Sequence, residues 1–508
     1  MPVLGALIKQ GLRLSTRVKL RNNSPSFYQK RELKKLLSKA ENTSFGKQYN
    51  FSQIIDSDNV ANSFREIVPL FDYDKIYNEW WNRCMKEEVD VCWPGHIKYF
   101  ALSSGTAGSA SKHIPVTREM VRALRKASIR QIVTLGKYDL PATVFEKGIL
   151  WLGGSTDLKK QGGYFEGDVS GISARQVPIW FQQYYKPGKK ISQEKDWNIK
   201  LEEITRQADK WDIGIITGVP SWIQLLLEKI IAHYNLKNIH ELWPNLSVYA
   251  HGGVSFEPYR NGMQKFFGKN VHFIEMYPAS EGFIAFQSEP GARYMKLITD
   301  NGIYYEFLPF NETNFDSDGN FIPGSKTLTI AEVKENADYA VVMSTCAGAW
   351  RYIIGDVIRF TDVKKANIII SGRTKSFLSL AGEHLSVDNM NKAVEYASEQ
   401  IGEEIPEYTV SGIPFEGSFA HEWYVGTKND IDAKKVREFI DHKLSEVNDD
   451  YRVERQSALK DIIVHASPVT QFYEFMNSKG KMGGQNKFPR VMKSAQFEDW
   501  KTFLNNNR

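Results

Sequence analysis

Four short segments of this chain combine residue types able to handle a phosphate, a cation or a nucleotide. Residues 103–112 read Ser-Ser-Gly-Thr-Ala-Gly-Ser-Ala-Ser-Lys and follow an apolar stretch at 99–102. Small residues let successive backbone N–H groups curl around phosphate oxygens. The hydroxyls of Ser103, Ser104 and Thr106 around Gly105 add donors, and Lys112 adds a cation. The run lacks the Gly-Lys-Ser/Thr ending of the Walker loop. A flexible Ser/Gly connector accounts for the same letters. Residues 277–282, Tyr-Pro-Ala-Ser-Glu-Gly, form the second segment. A glutamate shown by a tight polar loop, Glu281, suits a magnesium ion, and Tyr277 suits a base. One solvated glutamate in a loop is the plainer reading. Pro278 stands where a serine-hydrolase elbow needs its first glycine.

The third segment, 350–358, sets Gly355-Asp356 inside an apolar strand pattern. A carboxylate there is costly without partners. The two hydroxyls of a ribose are one such pair, and a β-bulge with a satisfied aspartate is the other reading. The fourth, 478–490, is a glycine-rich basic loop from which Lys487 can reach an anionic reacting centre. Basic runs near chain ends are commonly just solvated. No His-Glu-x-x-His spacing occurs, so no transition metal is expected.

The elements that would position these residues alternate. Apolar strands are expected at 149–152, 213–217, 246–250 and 271–276, with helices after 218–220 and over 257–267. Gly252 and Gly253 close the third of these strands. Such alternation predicts helix-covered sheets with ligands at strand ends. Residues 63–99 read as aromatic-rich and irregular, with turns at Pro69 and Pro94. Longer strands follow at 304–309, 340–345, 353–361 and 367–370. After Gly372-Arg373 comes a compact set: helices at 387–400 and 433–447 and strands at 408–413, 421–426 and 461–465. The fold class is α/β: a large N-terminal domain, 1–371, and a small α+β C-terminal domain, 372–508, joined near 371–376.

At 508 residues the chain exceeds what one hydrophobic core sustains. Hydrophobic residues at 42% and charged residues at 25% exclude disorder. A net charge of +5, from 65 basic and 60 acidic residues, suits small anions and does not single out nucleic acid. The three cysteines, Cys84, Cys92 and Cys346, show no metal or disulfide spacing. Residues 1–20 mix Val3, Leu4, Leu7, Ile8 and Leu12 with Lys9, Arg13, Arg17 and Lys19. An amphipathic first helix packed on the body is expected, with an organelle transit segment as the alternative. No membrane or nucleic-acid partner, a monomer and a cytoplasmic location are the expectations.

Taken in order, the segments resemble the adenylate-forming superfamily. Within it they are most similar to the Gretchen-Hagen family of acyl-acid-amido synthetases. The resemblance rests on Ser103-Ser104-Gly105-Thr106 followed by Lys112-His113-Ile114-Pro115, Tyr277-x-x-Ser280-Glu281, Arg351-Tyr352-x-x-Gly355-Asp356-Val357 and Gln485-x-Lys487-x-Pro489-Arg490. It spans residues 40 to 495 or so. It implies ATP and Mg2+, a small carboxylic acid, and an amine or amino acid that takes the acyl group from an acyl-adenylate. It also implies that Ser103, Ser104, Gly105 and Thr106 grip the phosphates, Tyr277 (with Ser280 beside it) meets adenine, Glu281 the magnesium and Asp356 the ribose. Gly252 and Gly253 would let the backbone approach the base, Arg373 would lie at the hinge, and Lys487 would be the catalytic lysine. Ala107 departs from the family's Ser or Thr and removes one hydroxyl. His251 and Trp350 adjoin these segments and face either the acyl group or the core. An acyl-CoA synthetase and a non-catalytic nucleotide-binding regulator are the alternative functions.

Overall fold

The computed structural model describes residues 3–17, 23–103, 112–177, 179–254, 256–316, 319–375, 378, 385–416, 418–455, 459–480 and 487–507. An eleven-stranded sheet forms its frame. One half is parallel, where His272–Ala279, Val248–Gly252, Ile213–Gly218, Gly148–Leu152 and Tyr185–Lys186 lie side by side. The other half is antiparallel and runs from Gly282–Phe286 through Met295–Leu297, Asn367–Arg373, Tyr352–Asp362 and Asp338–Thr345 to Ile303–Pro309. Helices cover the parallel half, and accordingly every residue of Val248–Gly252 is buried. The helix Pro220–His233 starts with proline in its first turn and buries Trp222, Ile223, Leu226, Leu227 and Ile230 against the sheet. The expected strands are all present, the one expected at 246–250 shifted by two residues to Val248–Gly252 and the others one to five residues longer.

A four-stranded sheet holds Tyr99–Ser103 between Lys112–Val116 and Tyr164–Gly167, with Lys159–Gln161 at its edge. The C-terminal residues form a three-stranded sheet, Glu407–Phe415, Ser418–Thr427 and Leu459–Pro468, covered by the helices Val387–Ile401 and Ala433–Val447. The first of these helices has a capping box between Ser386 and Asn389 and ends on left-handed Gly402. Asn367–Arg373 stays in the large sheet to its last residue.

The first helix, Val3–Arg17, packs on the body as expected. Its Gly5 N–H donates to Glu146 Oε1 at 2.5 Å, and the Lys9 ammonium donates to the Leu140 carbonyl at 2.5 Å. No described helix is long and apolar enough to cross a membrane. The stretch expected to be irregular is instead helical: Val60–Ile67 and Tyr73–Ile76, then a π-turn at Tyr77–Trp81 running into Asn82–Met85. Asn59 and Asp72 cap the first two. Aromatic residues on several sides of these short turns obscure the helical period, because Trp80 and Trp81 both enter the core.

A buried ion pair fastens this helical layer to the antiparallel half. Glu306 is fully buried, and Arg351 reaches it at 3.0 Å. Arg351 also donates to the carbonyls of Val68 at 2.5 Å and Arg65 at 2.8 Å, and to Thr327 Oγ1 at 2.8 Å. Its own backbone is left-handed, φ 42°. That turn lets Phe71 pair with Tyr352 as one added bridge. Buried pairs are dear to break on one side only, because the partner charge is stranded. Arg351→Ala is expected to lose about 3–5 kcal/mol in urea denaturation. Glu306→Leu combined with Arg351→Met should lose less than that single change.

Candidate functional site

Asp356 anchors the site. Gly355, at φ 86°, twists the strand Tyr352–Asp362, and the register shifts after Val357. This places Asp356 opposite Arg373 on the neighbouring strand, with Arg373 Nε 2.9 Å from Asp356 Oδ1. The Tyr277 hydroxyl donates to the other oxygen at 2.5 Å. Burial and the Asp356 charge push the Tyr277 phenol well above its ordinary range, so it stays a donor. A carboxylate has about four acceptor positions. Arg373 and Tyr277 fill two, which leaves room for further donors.

Glu281 sits at a turn tighter than the loop its letters suggest. Ala279 pairs directly with Gly282, so Ser280 and Glu281 are the two residues of a hairpin joining the parallel and antiparallel halves. The turn is buried. Loss of solvation, with Asp356 adding to it, pushes the Glu281 carboxyl up to about 7, while Lys112 and Arg373 oppose the shift. Those two cations do not restore its ordinary acidity. A bound cation would, so the carboxylate fits a divalent ion. No group of three or more potential ligands gathers among the described residues. A magnesium ion here would be one that takes most of its ligands from phosphates and water.

Cations surround the same spot. Lys112 opens the strand Lys112–Val116, and burial followed by Arg373 and Lys375 lowers its pKa against the pull of Glu281. Lys487 arrives from the C-terminal segment and is lowered to about 8 by burial and by Arg373. A Cβ on Gly253, whose φ is 93°, would stand 3.6 Å from Lys487 Nζ. A Cβ on Gly252 would stand 2.3 Å from the Met276 carbonyl, so both positions require glycine.

Ser103, Gly252, Gly253, Tyr277, Ser280, Glu281, Asp356, Arg373 and Lys487 all line one cavity of about 1880 Å³. A single small ligand usually takes roughly 300–1,000 Å³, so this space accommodates more than one. The rest of the wall mixes apolar residues with Arg118, Arg122 and Arg125. Val121 and Leu124 of the helix Arg118–Thr134 face the cavity along with Ile149, Ile215, Val248, Ile274 and Phe283. Ser104, Gly105 and Thr106, like Ala107, lie outside the described residues.

His251 and Trp350 belong to the core. His251 stacks on Phe256 at 4.1 Å, and burial lowers its pKa to about 3. Trp350 packs among Phe45, Phe51 and Phe64 and donates to the Cys92 carbonyl at 3.1 Å. The sequence reading missed the apolar wall, since its residues look like any strand core. It also named Arg373 for a hinge and not for its pairing with Asp356.

The raised Glu281 carboxyl makes a stability prediction. Its proton is held more tightly in the folded than in the unfolded chain. Stability from this group is therefore present below about pH 4.5 and is lost as pH rises through about 7. Without nucleotide, Glu281→Gln should be the more stable protein above pH 7, by up to about 3 kcal/mol. Thermal melts across the pH range should show the difference shrinking toward pH 4.5.

Three GH3 family models match in order: the N-terminal domain over 16–202 and 168–272, the central domain over 296–369 and the C-terminal domain over 388–496. Indole-3-acetic acid-amido synthetase GH3.4 of Arabidopsis thaliana is 22% identical, with 92% of this chain and 89% of that protein covered. The solved structure of GH3.15 acyl acid amido synthetase superposes at TM-score 0.77 with 18% identity, covering 98% of this chain and 96% of the other. A 2-hydroxyisobutyryl-CoA ligase superposes at TM-score 0.56 with 11% identity, over 94% and 91% of the two chains. The fold is thus shared with adenylate-forming enzymes in general, and the chain itself belongs to the GH3, or Gretchen-Hagen, family.

Proposed function

We propose that the chain is an ATP-dependent acyl acid amido synthetase, which activates a carboxylic acid as its acyl-adenylate and passes the acyl group to an amine such as an amino acid. The observation that carries the reading is the gathering of Asp356, Tyr277, Glu281, Lys112 and Lys487 in one cavity that is also lined by apolar residues of the helix Arg118–Thr134 and of the parallel strands. Asp356 accepts the ribose hydroxyls, with Tyr277 and Arg373 fixing its orientation. Tyr277, Gly252 and Gly253 form the adenine wall. Ser103, Ser104, Gly105 and Thr106 grip the phosphates. Magnesium held at Glu281 supplies charge neutralisation on those phosphates. Lys112 and Lys487 add to it, and this favours the cations' protonated forms.

A carboxylate oxygen of the acid attacks the α-phosphorus and pyrophosphate leaves. The amine then attacks the acyl carbonyl, AMP leaves with the bonding pair and the nitrogen loses a proton. Burial of the Ser280–Glu281 turn keeps bulk water from this part of the cavity, where the activated acyl group forms. The apolar wall takes the body of the acid. Domains divide at 371/372, and the C-terminal domain brings Lys487 for the first half-reaction and withdraws it for the second. A cytoplasmic monomer without nucleic-acid or membrane partners is the working form.

The relative superposing at TM-score 0.56 is a CoA ligase by name, so a thioester product is the second reading. ATP–pyrophosphate exchange against a panel of aryl and fatty acids, followed by mass analysis with amino acids or CoA as acceptor, tests both. Acid-dependent exchange and an amide product are expected; a thioester alone would establish the CoA reading. Lys487→Ala should lower exchange about a hundredfold in folded protein. In the wild type, kcat/KM for exchange should fall as pH rises through about 8, where free Lys487 gives up its charge. Lys487→Arg should lack that limb. Normal exchange by folded Lys487→Ala would exclude the lysine from the reaction.

A further inference from the structure

Lys487 stands over Gly253 because both of the segments that carry them are fastened to one buried carboxylate. On the large-domain side, the chain runs from Gly253 into the helix Glu257–Lys265, which buries Tyr259. On the C-terminal side, Arg490 follows Lys487 by three positions. Between them lies Glu407, at the start of the strand Glu407–Phe415. The Tyr259 hydroxyl donates to Glu407 Oε1 at 2.6 Å, and Arg490 Nη1 donates to Oε2 at 2.8 Å. Arg490 also donates to the carbonyls of Pro406 at 3.2 Å and Tyr408 at 3.3 Å, and to the Tyr259 oxygen at 3.4 Å. Its guanidinium lies 4.6 Å from the Tyr408 ring centroid. The backbone is fixed as well, since Val410 donates to the Arg490 carbonyl at 3.0 Å and Met492 donates to the Val410 carbonyl at 2.9 Å.

Glu407 and Arg490 are both C-terminal, so that half of the cluster holds the C-terminal domain together. Only the Tyr259 hydroxyl crosses to the large domain. Apart from Arg373 with Asp356 in the large sheet, the ion pairs between the two among the described residues, Lys265 with Glu404 and Lys428 with Glu228, have lysines 74% and 75% exposed. Pairs so exposed fix little. A hydroxyl on a buried, charged acceptor is stronger and directional. One small cavity is lined by Tyr259, Glu407, Arg490 and Lys487 together, with Trp222, Met476 and Phe488 beside them, so a shift at the cluster is felt at the lysine.

We propose that Tyr259, Glu407 and Arg490 are positioning residues that latch the C-terminal domain in the one arrangement that sets Lys487 over Gly253. The latch serves the half-reaction that uses Lys487 and no other. It rests on the role given to Lys487 above. Misplacing a reacting group by about 1 Å can cost about a hundredfold in rate, so one hydroxyl suffices to matter.

Tyr259→Phe keeps the ring and both domain cores and deletes the two crossing hydrogen bonds of the hydroxyl, the one it donates to Glu407 and the longer one it accepts from Arg490. The expected result is a pyrophosphate-exchange kcat reduced about tenfold or more, with KM for ATP and acid within about twofold of wild type. Amide formation from supplied acyl-adenylate and amine should be unchanged. In a Lys487→Ala background, Tyr259→Phe should cause no further loss of exchange, because the hydroxyl acts through the lysine. Glu407→Gln, checked for folding by thermal melt, should reproduce the pattern. Unchanged exchange in folded Tyr259→Phe, an equal loss in both half-reactions, or additive losses in the double variant would each overturn the latch. Normal exchange by Lys487→Ala alone would overturn the lysine's role and the latch with it. An inactive Lys487→Ala beside a fully active Tyr259→Phe would overturn the latch only.

Discussion

Asp356 is a carboxylate inside a sheet, and everything around it answers to the cost of putting it there. A strand carrying an aspartate at such a position needs partners that arrive from fixed directions. Arg373 comes from the adjacent strand in register, and Tyr277 comes from across the sheet at the end of the parallel half. Gly355 supplies the twist that turns the carboxylate toward both. The Tyr277 contact ties the antiparallel half of the eleven-stranded sheet, where Asp356 and Arg373 lie, to the last strand of the parallel half.

That junction is also where the cavity forms. The Ser280–Glu281 hairpin marks the change from parallel to antiparallel pairing, and the strands Val248–Gly252 and His272–Ala279 end beside it. Open α/β sheets place ligands outside the carboxyl ends of their strands. Here the sheet adds a second feature: one buried carboxylate, Glu281, whose acidity is shifted up to about 7, and two lysines lining the cavity that desolvation holds short of their full basicity. Each of these groups is poorly satisfied by protein alone. A polyanion with its counter-ion satisfies all of them at once, because it restores the charge that burial suppresses on each side.

The buried Glu306–Arg351 pair and the Tyr259–Glu407–Arg490 cluster repeat one device at larger scale. Each joins layers distant in sequence through a carboxylate and an arginine with their hydrogen-bonding positions nearly filled. Arg351 belongs to the same motif as Asp356 and, four residues before Gly355, fixes the strand that presents it. Such pairs give modest net stability but define one arrangement sharply. That is what a site assembled from several separate segments needs.

The α/β class, the main strands of the large sheet and the residues that gather around Asp356 in the cavity could be read from the letters. Period-two and period-3.6 patterns and the strand-end glycines report local structure directly. The ordered motifs around Ser103, Glu281, Asp356 and Lys487 carried the family resemblance, because phosphate, cation and ribose contacts admit few residue types. Other features had no local signature. The short helices around Trp80 and Trp81 lacked a clean period because their aromatic side chains enter the core from a tight π-turn. His251 and Trp350 adjoin the motifs yet point into the core: His251 because a strand sends neighbouring side chains to opposite faces, Trp350 because its turn packs it among Phe45, Phe51 and Phe64. The pairing of Arg373 with Asp356, the apolar wall, and Tyr259 meeting Glu407 and Arg490 depend on register and on the packing of two domains. Sequence alone determined which chemistry the chain carries, because residue type limits what can bind. Tertiary structure decided which charges are buried together, because desolvation and pairing are properties of neighbours that only folding supplies.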